Sequence, residues 1–275
     1  MKILFTGHRG FLGRELIAPL SSKFEVITFD GNLLNSSQLS TFVAENSITR
    51  IIHAAAKVSN RWDTDSSNNL IENLKMTMNI VNLRLPMLTF CSGKVYGYQD
   101  SIDNVSEYSA DKKYPEDFYG QGKYIIRKLV EDNSLVSLLR YFNVFGLHED
   151  KRKFIMANLT RYLNRQPMVI DQNIIYDFFY VQDTLPIILD WIQSRNIPKE
   201  INLVYQNKLY LYDVCEIINK LDNHKVEIVL PKLNFGKNFT GNGEELFKLG
   251  YPLIGLEQGL KRVYNDLSIN HITND

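Results

Sequence analysis

Short apolar runs alternate along the first half of the chain with longer segments in which apolar residues return every three or four positions. Lys2–Thr6, Glu25–Phe29, Arg50–Ala54, Met87–Cys91 and Val136–Arg140 are the short runs, several of them rich in Ile, Val, Leu and Phe. Runs of this length and composition read as buried strands. Between them, Phe11–Leu20, Ser37–Asn46, Asn69–Leu83 and Tyr119–Asp132 read as amphipathic helices. In the third, Leu70, Leu74, Met78 and Val81 fall on one face. Strand, helix, strand in repetition predicts parallel pairing through right-handed crossovers, hence an α/β fold with a doubly wound parallel sheet. Ligands of such sheets bind beyond the carboxyl ends of the strands.

The rhythm changes after about Val144. Helical stretches near Phe154–Asn164, Asp183–Ser194 and Leu211–Leu221 alternate with short strand-like pieces, and Pro167, Pro198, Pro231 and Pro252 punctuate them. No linker or break in composition separates the halves. Residues 1–145 are expected to form the sheet domain. Residues 146–275 are expected to be mainly a small substrate-binding lobe, with segments returning to the first domain. The polar residues after Asp266 are expected to fray.

Composition narrows the partners more than the fold. Lys plus Arg equal Asp plus Glu at 31 each, and that balance argues against nucleic acid or an anionic membrane as a partner. Cys91 and Cys215 are the only cysteines and stand far apart, so neither a metal-ligand spacing nor a disulfide framework is present. The opening MKILFTGHRG lacks the apolar run of a signal peptide, and no segment is apolar for long enough to span a bilayer. The cytoplasm is the expected location.

The first strand runs into TGHRGFLG, with Gly7, Gly10 and Gly13, and then into a helix. Glycines there permit a tight turn and let backbone amides approach a pyrophosphate at the positive end of the helix. The spacing is G-x-x-G-x-x-G, not the commoner G-x-G-x-x-G. In this strand-turn-helix setting it points to a dinucleotide-binding Rossmann fold, with Arg9, Phe11 and Leu12 of the same loop at the cofactor. Asp30 closes the second strand, where a carboxylate accepts hydrogen bonds from the adenosine ribose and repels the 2′-phosphate of NADP. A turn residue before Gly31 is the plainer reading of Asp30. Arg9 argues the other way, since a guanidinium pairs with that phosphate. The balance favours NAD over NADP slightly.

Tyr119 and Lys123 lie four residues apart in YGQGK and share a helical face. Such a pair is usually just surface. Placed in a site, the ammonium is expected to lower the phenol from its ordinary pKa of about 10. The phenol then exchanges a proton with a sugar hydroxyl while hydride moves at nicotinamide. Ser92, in FCSGKVYG, follows the fourth strand and either bonds the same substrate oxygen or caps a turn.

TGHRGFLG, HAAA (His53 to Ala56), SGKVYG, YGQGK, RYFNVFG (Arg140 to Gly146) and YDFFYVQD (Tyr176 to Asp183) occur in that order. Together they resemble the extended short-chain dehydrogenase/reductase family of sugar-nucleotide epimerases, dehydratases and reductases, from Lys2 to about Tyr264. GHRG and AAAKV are similar to GDP-fucose synthase, and RYFN to UDP-galactose 4-epimerase. The resemblance implies Ser92, Tyr119 and Lys123 as the catalytic triad. It implies Ala54, Ala55, Ala56 and Tyr141 along the cofactor, and Asn143 near the substrate or its phosphates. It also implies a nucleotide-sugar substrate and a homodimer.

Departures from the family narrow the chemistry. Dehydratases of this family carry Asp and Glu after the catalytic serine, where this chain has Gly93 and Lys94. The Cys and His that serve 3,5-epimerisation in GDP-fucose synthase align with Lys94 and Lys153. Tyr176 stands where an Arg usually contacts the diphosphate, so Lys153 or Arg161 is expected to supply positive charge for the substrate. The expected activity is NAD(P)-dependent reduction of a 4-keto nucleoside-diphosphate deoxysugar. A nucleotide-sugar 4-epimerase is the alternative, and a non-catalytic dinucleotide-binding regulator a more distant one.

Overall fold

The computed structural model describes residues 1–58, 66–98, 100–195, 197–230 and 236–272, with residues 270–272 described by backbone alone. Pro231 lies outside the described residues. In chain order the first half runs β1 (Lys2–Thr6), α1 (Phe11–Ser21), β2 (Glu25–Thr28), α2 (Ser36–Glu45), β3 (Arg50–His53), α3 (Ser67–Val81), β4 (Met87–Ser92), β5 (Ile102–Val105), α4 (Phe118–Val130) and β6 (Val136–Tyr141). The second half adds β7 (Val144–Phe145), α5 (Phe154–Leu163), β8 (Met168–Val169), β9 (Phe179–Tyr180), α6 (Leu185–Ile192) and β10 (Glu200–Leu203). It closes with α7 (Leu211–Ile218), β11 (Ile228–Val229), β12 (Phe239–Gly241), α8 (Glu244–Lys248) and α9 (Gly255–Ile272).

Six parallel strands form the central sheet in the order β10-β6-β4-β3-β1-β2, so the α/β doubly wound reading holds. Side chains alternate faces along each strand, and here they feed two cores. Ile3 and Phe5 of β1, Leu88 and Phe90 of β4, and Leu139 and Tyr141 of β6 join one core with α1, α5, α7 and α9. Leu4, Met87, Cys91, Val136 and Leu138 point the other way, to a core completed by α2, α3 and α4. Each fully buried aliphatic or aromatic side chain contributes about 1.5–3 kcal/mol, which fixes strand register.

β2 lies on one side of β1 and β3 on the other. The connections therefore reverse direction between β1 and β3 and open a crevice at the carboxyl ends. Gly7, Asp30, Ala54 and Ser92 all lie at or just beyond strand ends on that edge.

Two expectations need correction. The helix expected from Asp183 begins as an α-helix at Leu185, after a 3-10 turn over Val181–Thr184. Pro186 has no N–H to give and is tolerated in a first turn, where none is needed. The end after Asp266 continues as helix to Ile272. Leu260, Val263 and Tyr264 are buried in the core, and Leu267, about one turn on, packs against it. Among the described residues no helix is long and apolar enough to cross a membrane.

Candidate active site

The crevice is built from backbone. Gly7 has φ +80, and a Cβ on it would stand 2.5 Å from Ala55 N. A Cβ on Gly13 would stand 2.5 Å from both Cα and O of His8. The loop, the start of α1 and the strand end at Ala54 thus touch main chain to main chain. Gly10 is the N-cap of α1 and no side chain caps the helix, which leaves its first-turn N–H groups for an anionic ligand. Phe11 and Leu12 pack their side chains against the core, so they offer that ligand backbone. A dinucleotide pyrophosphate fits this cradle.

Asp30 is held from the loop by Arg9 and His8: Arg9 Nη2 donates to Asp30 Oδ1, and His8 Nε2 lies 3.0 Å from the same oxygen. The two residues that seemed to argue for different cofactors are therefore ion-pair partners. Ala54, Ala55 and Ala56 are half-buried. Lys57, which follows them, is anchored by Asn73, which accepts from Lys57 N at 2.7 Å and donates to Lys57 O at 2.8 Å. Sequence reasoning missed both His8 and Asn73.

The structure brings Ser92, Tyr119 and Lys123 together. Ser92 ends β4 and Asp117 caps α4, accepting from Gly120 N at 2.9 Å. The Tyr119 phenol faces the Ser92 side chain. Ser92 Oγ also accepts from Lys94 N at 3.3 Å, so it caps a turn as well as facing Tyr119. Lys123 Nζ donates to Phe90 O at 2.8 Å and lies 5.9 Å from the Tyr119 ring centroid.

The electrostatics correct one expectation. Burial above all holds the Tyr119 phenol above its ordinary range; Cys91 and Asp117 add to this and the Ser92 side chain opposes it. Lys123, itself lowered by burial, is not among the groups that pull it down. The resting phenol is protonated, as a proton donor should be. His53, between Thr6 Oγ1 at 2.7 Å and Thr77 Oγ1 at 3.4 Å, is lowered to about 3 by burial and then by Lys123, so it stays neutral.

The remaining sequence candidates are more dispersed. Tyr141 is buried, stacked on Phe90, with its hydroxyl 2.6 Å from Thr184 Oγ1. Asn143 is half-buried and its carbonyl accepts from Phe179 N at 3.0 Å. Lys94 Nζ donates to Asp117 Oδ1 at 3.2 Å. Tyr176 packs on Phe178 and Phe239. Lys153 is the N-cap of α5 and lies 3.6 Å from Glu149, whereas Arg161, in the last turn of that helix, reaches Asn158. Eight residues of helix put Lys153 and Arg161 about 12 Å apart, so they do not form one cluster. Glu149, which the sequence did not single out, has both carboxyl oxygens enclosed without a hydrogen-bond partner. Burial pushes its pKa up to about 8, against the pull of Lys153. Two cavities, of about 480 and 350 Å³, adjoin α9; Tyr176 lines the second, and Ser92, Tyr119 and Lys123 line neither.

Residues 3–204 match the NAD dependent epimerase/dehydratase family, and the chain belongs to it. It is an enzyme of that NAD(P)-dependent class. The chain is 25% identical to GDP-6-deoxy-D-talose 4-dehydrogenase of Aggregatibacter actinomycetemcomitans, over 83% of this chain and 82% of that one. It is 26% identical to ADP-L-glycero-D-manno-heptose-6-epimerase of Brachyspira hyodysenteriae, over 94% and 96%. Its fold matches that of GDP-mannoheptose C4 reductase from Campylobacter jejuni, solved with NADP bound, with TM-score 0.83, 16% identity and 96% and 97% coverage.

Proposed function

We propose that the chain reduces a 4-keto nucleoside-diphosphate deoxysugar. The observation that carries this reading is the Ser92–Tyr119 pair at the carboxyl end of β4, whose neighbouring carboxylate, Asp117, is engaged by the Gly120 N–H and by Lys94. A Cβ at Gly93 would stand 2.7 Å from the Phe142 ring, so an acid there would collide with the core. The Lys94 amine is occupied by Asp117. Elimination of water needs a base and an acid in this neighbourhood, and single-carbon reduction needs only a proton donor.

Gly7, Gly10, Gly13 and Asp30 would hold a dinucleotide, which would supply hydride when bound. Ser92 and Tyr119 orient the carbonyl oxygen between two hydroxyls. As hydride arrives, the π electrons of the carbonyl move to oxygen, and that oxygen takes the Tyr119 proton to give the alcohol. Lys123, anchored on the Phe90 carbonyl, positions the cofactor ribose, and neutral His53 adds no charge beside it. The 4-dehydrogenase relative supports chemistry at C4. A 4-epimerase would use the same three residues in both directions, and the likeness to a 6-epimerase supports it as the second reading. It would leave purification with its dinucleotide bound, whereas a reductase exchanges it.

Tyr119→Phe removes one oxygen and keeps the ring. It is expected to lower kcat by about 10²- to 10⁴-fold and to leave cofactor affinity within about twofold. A variant turning over within a few-fold of wild type would overturn the assignment. We also infer a homodimer through α3 and α4, supported by the exposed Ile71 and Leu129 on these packed helices. Light scattering at micromolar concentration should give the dimer mass; a monomer would refute it.

A further inference from the structure

We propose that His8 selects between NAD and NADP by fixing Asp30 toward the adenosine ribose. The inference rests on the dinucleotide crevice and not on the identity of the sugar. His8 is the residue after Gly7, and its main chain is pinned because Gly13 packs directly on its Cα and carbonyl oxygen. The origin of the imidazole is therefore set by backbone contact. Its Nε2 lies 3.0 Å from Asp30 Oδ1, and its Nδ1 is enclosed with no hydrogen-bond partner among the described residues. An N–H at Nδ1 would be a buried donor left unpaired. His8 thus presents Nε2, not Nδ1, to Asp30.

Arg9 reaches the same Asp30 oxygen from a different position. Its side chain is 77% exposed, against 20% for His8. An exposed ion pair holds geometry weakly, while a short, pinned imidazole holds it well. Both side chains converge on Oδ1, which leaves Oδ2 of Asp30 to accept a ribose hydroxyl. When a 2′-phosphate draws Arg9 away, His8 still keeps the carboxylate in place, facing that phosphate. His8 thus acts through Asp30 as a positioning residue for NAD and against NADP.

The test is the ratio of dissociation constants, NADP over NAD, measured by calorimetry on the whole chain. His8→Ala should lower that ratio by about five- to tenfold. His8→Gln, whose amide still donates, should restore most of it. In an Asp30→Ala background, His8→Ala should change the ratio by less than about twofold, because the residue it positions is gone. Equal weakening of both cofactors by His8→Ala, without rescue by Gln, would overturn the proposal and reduce His8 to packing. A wild-type chain that binds neither cofactor would overturn the crevice itself. A sugar specificity other than the one proposed would leave this result standing.

Discussion

The crevice at the ends of β1, β2 and β3 and the lobe around α5 handle charge in opposite ways. In the crevice main chain meets main chain: Gly7 lies against Ala55, Gly13 against His8, and α1 starts without a side-chain cap. In the lobe cations are already matched to acids, Lys208 to Asp177 and Arg152 to Asp150, and Lys153 lies beside the buried Glu149. A backbone cradle depends on where glycines fall and accepts a ligand common to a whole family. A surface of paired side chains depends on contacts between distant elements, and a substrate must compete with the pairs already there. On the proposed reading, cofactor chemistry sits in the backbone cradle and sugar specificity among the paired side chains of the lobe.

Breaking the cradle should cost most. Gly7→Ala places a methyl against Ala55 N and asks alanine to adopt φ +80, a left-handed conformation that costs about 1–2 kcal/mol before any clash. Dinucleotide affinity should fall by about 100-fold or more, since each 1.4 kcal/mol is tenfold. Calorimetry with a parallel melting curve separates lost binding from lost folding. Affinity within about threefold of wild type in a folded variant would show that the main-chain contact does not shape the site.

The lobe should respond more mildly, and as a function of pH. Glu149 is raised from 4.5 to about 8, chiefly by burial. Between these values the folded chain keeps a proton that the unfolded chain releases, so this carboxyl makes stability fall as pH rises. Glu149→Gln removes the ionisable group. Its melting temperature should match wild type near pH 5 and exceed it by about 3 °C or more above pH 8. An equal shift at both pH values would mean that packing, not ionisation, governs this residue.

The sequence made the sheet legible because buried parallel strands are short and apolar without interruption. Lys2–Thr6 emerges as β1 with no change of boundary. Ser92 and Tyr119 were legible because each follows a local signal, the end of β4 and the start of α4. What escaped depends on distant partners. His8 reads as a spacer between glycines until Asp30 comes within 3.0 Å of it. Glu149 lies in the run HEDKRK, which reads as a solvated charged loop, and only the fold encloses it. β5 and β12 pair across more than a hundred residues and carry no mutual mark in sequence. The lowering of Tyr119 expected from Lys123 failed because spacing predicts proximity and says nothing of burial.

The central claim is hydride transfer confined to one carbon, with no acid or base poised for the neighbouring ones. Incubation of the enzyme, reduced cofactor and a 4-keto-6-deoxy sugar nucleotide in deuterium oxide tests it most directly, with mass spectrometry and NMR locating the label. The account predicts an alcohol at C4 and no carbon-bound deuterium at C3 or C5 above the enzyme-free background. Enzyme-dependent label at C3 or C5 would contradict it and would show that Lys94, Lys153 or another residue removes a proton beside the carbonyl.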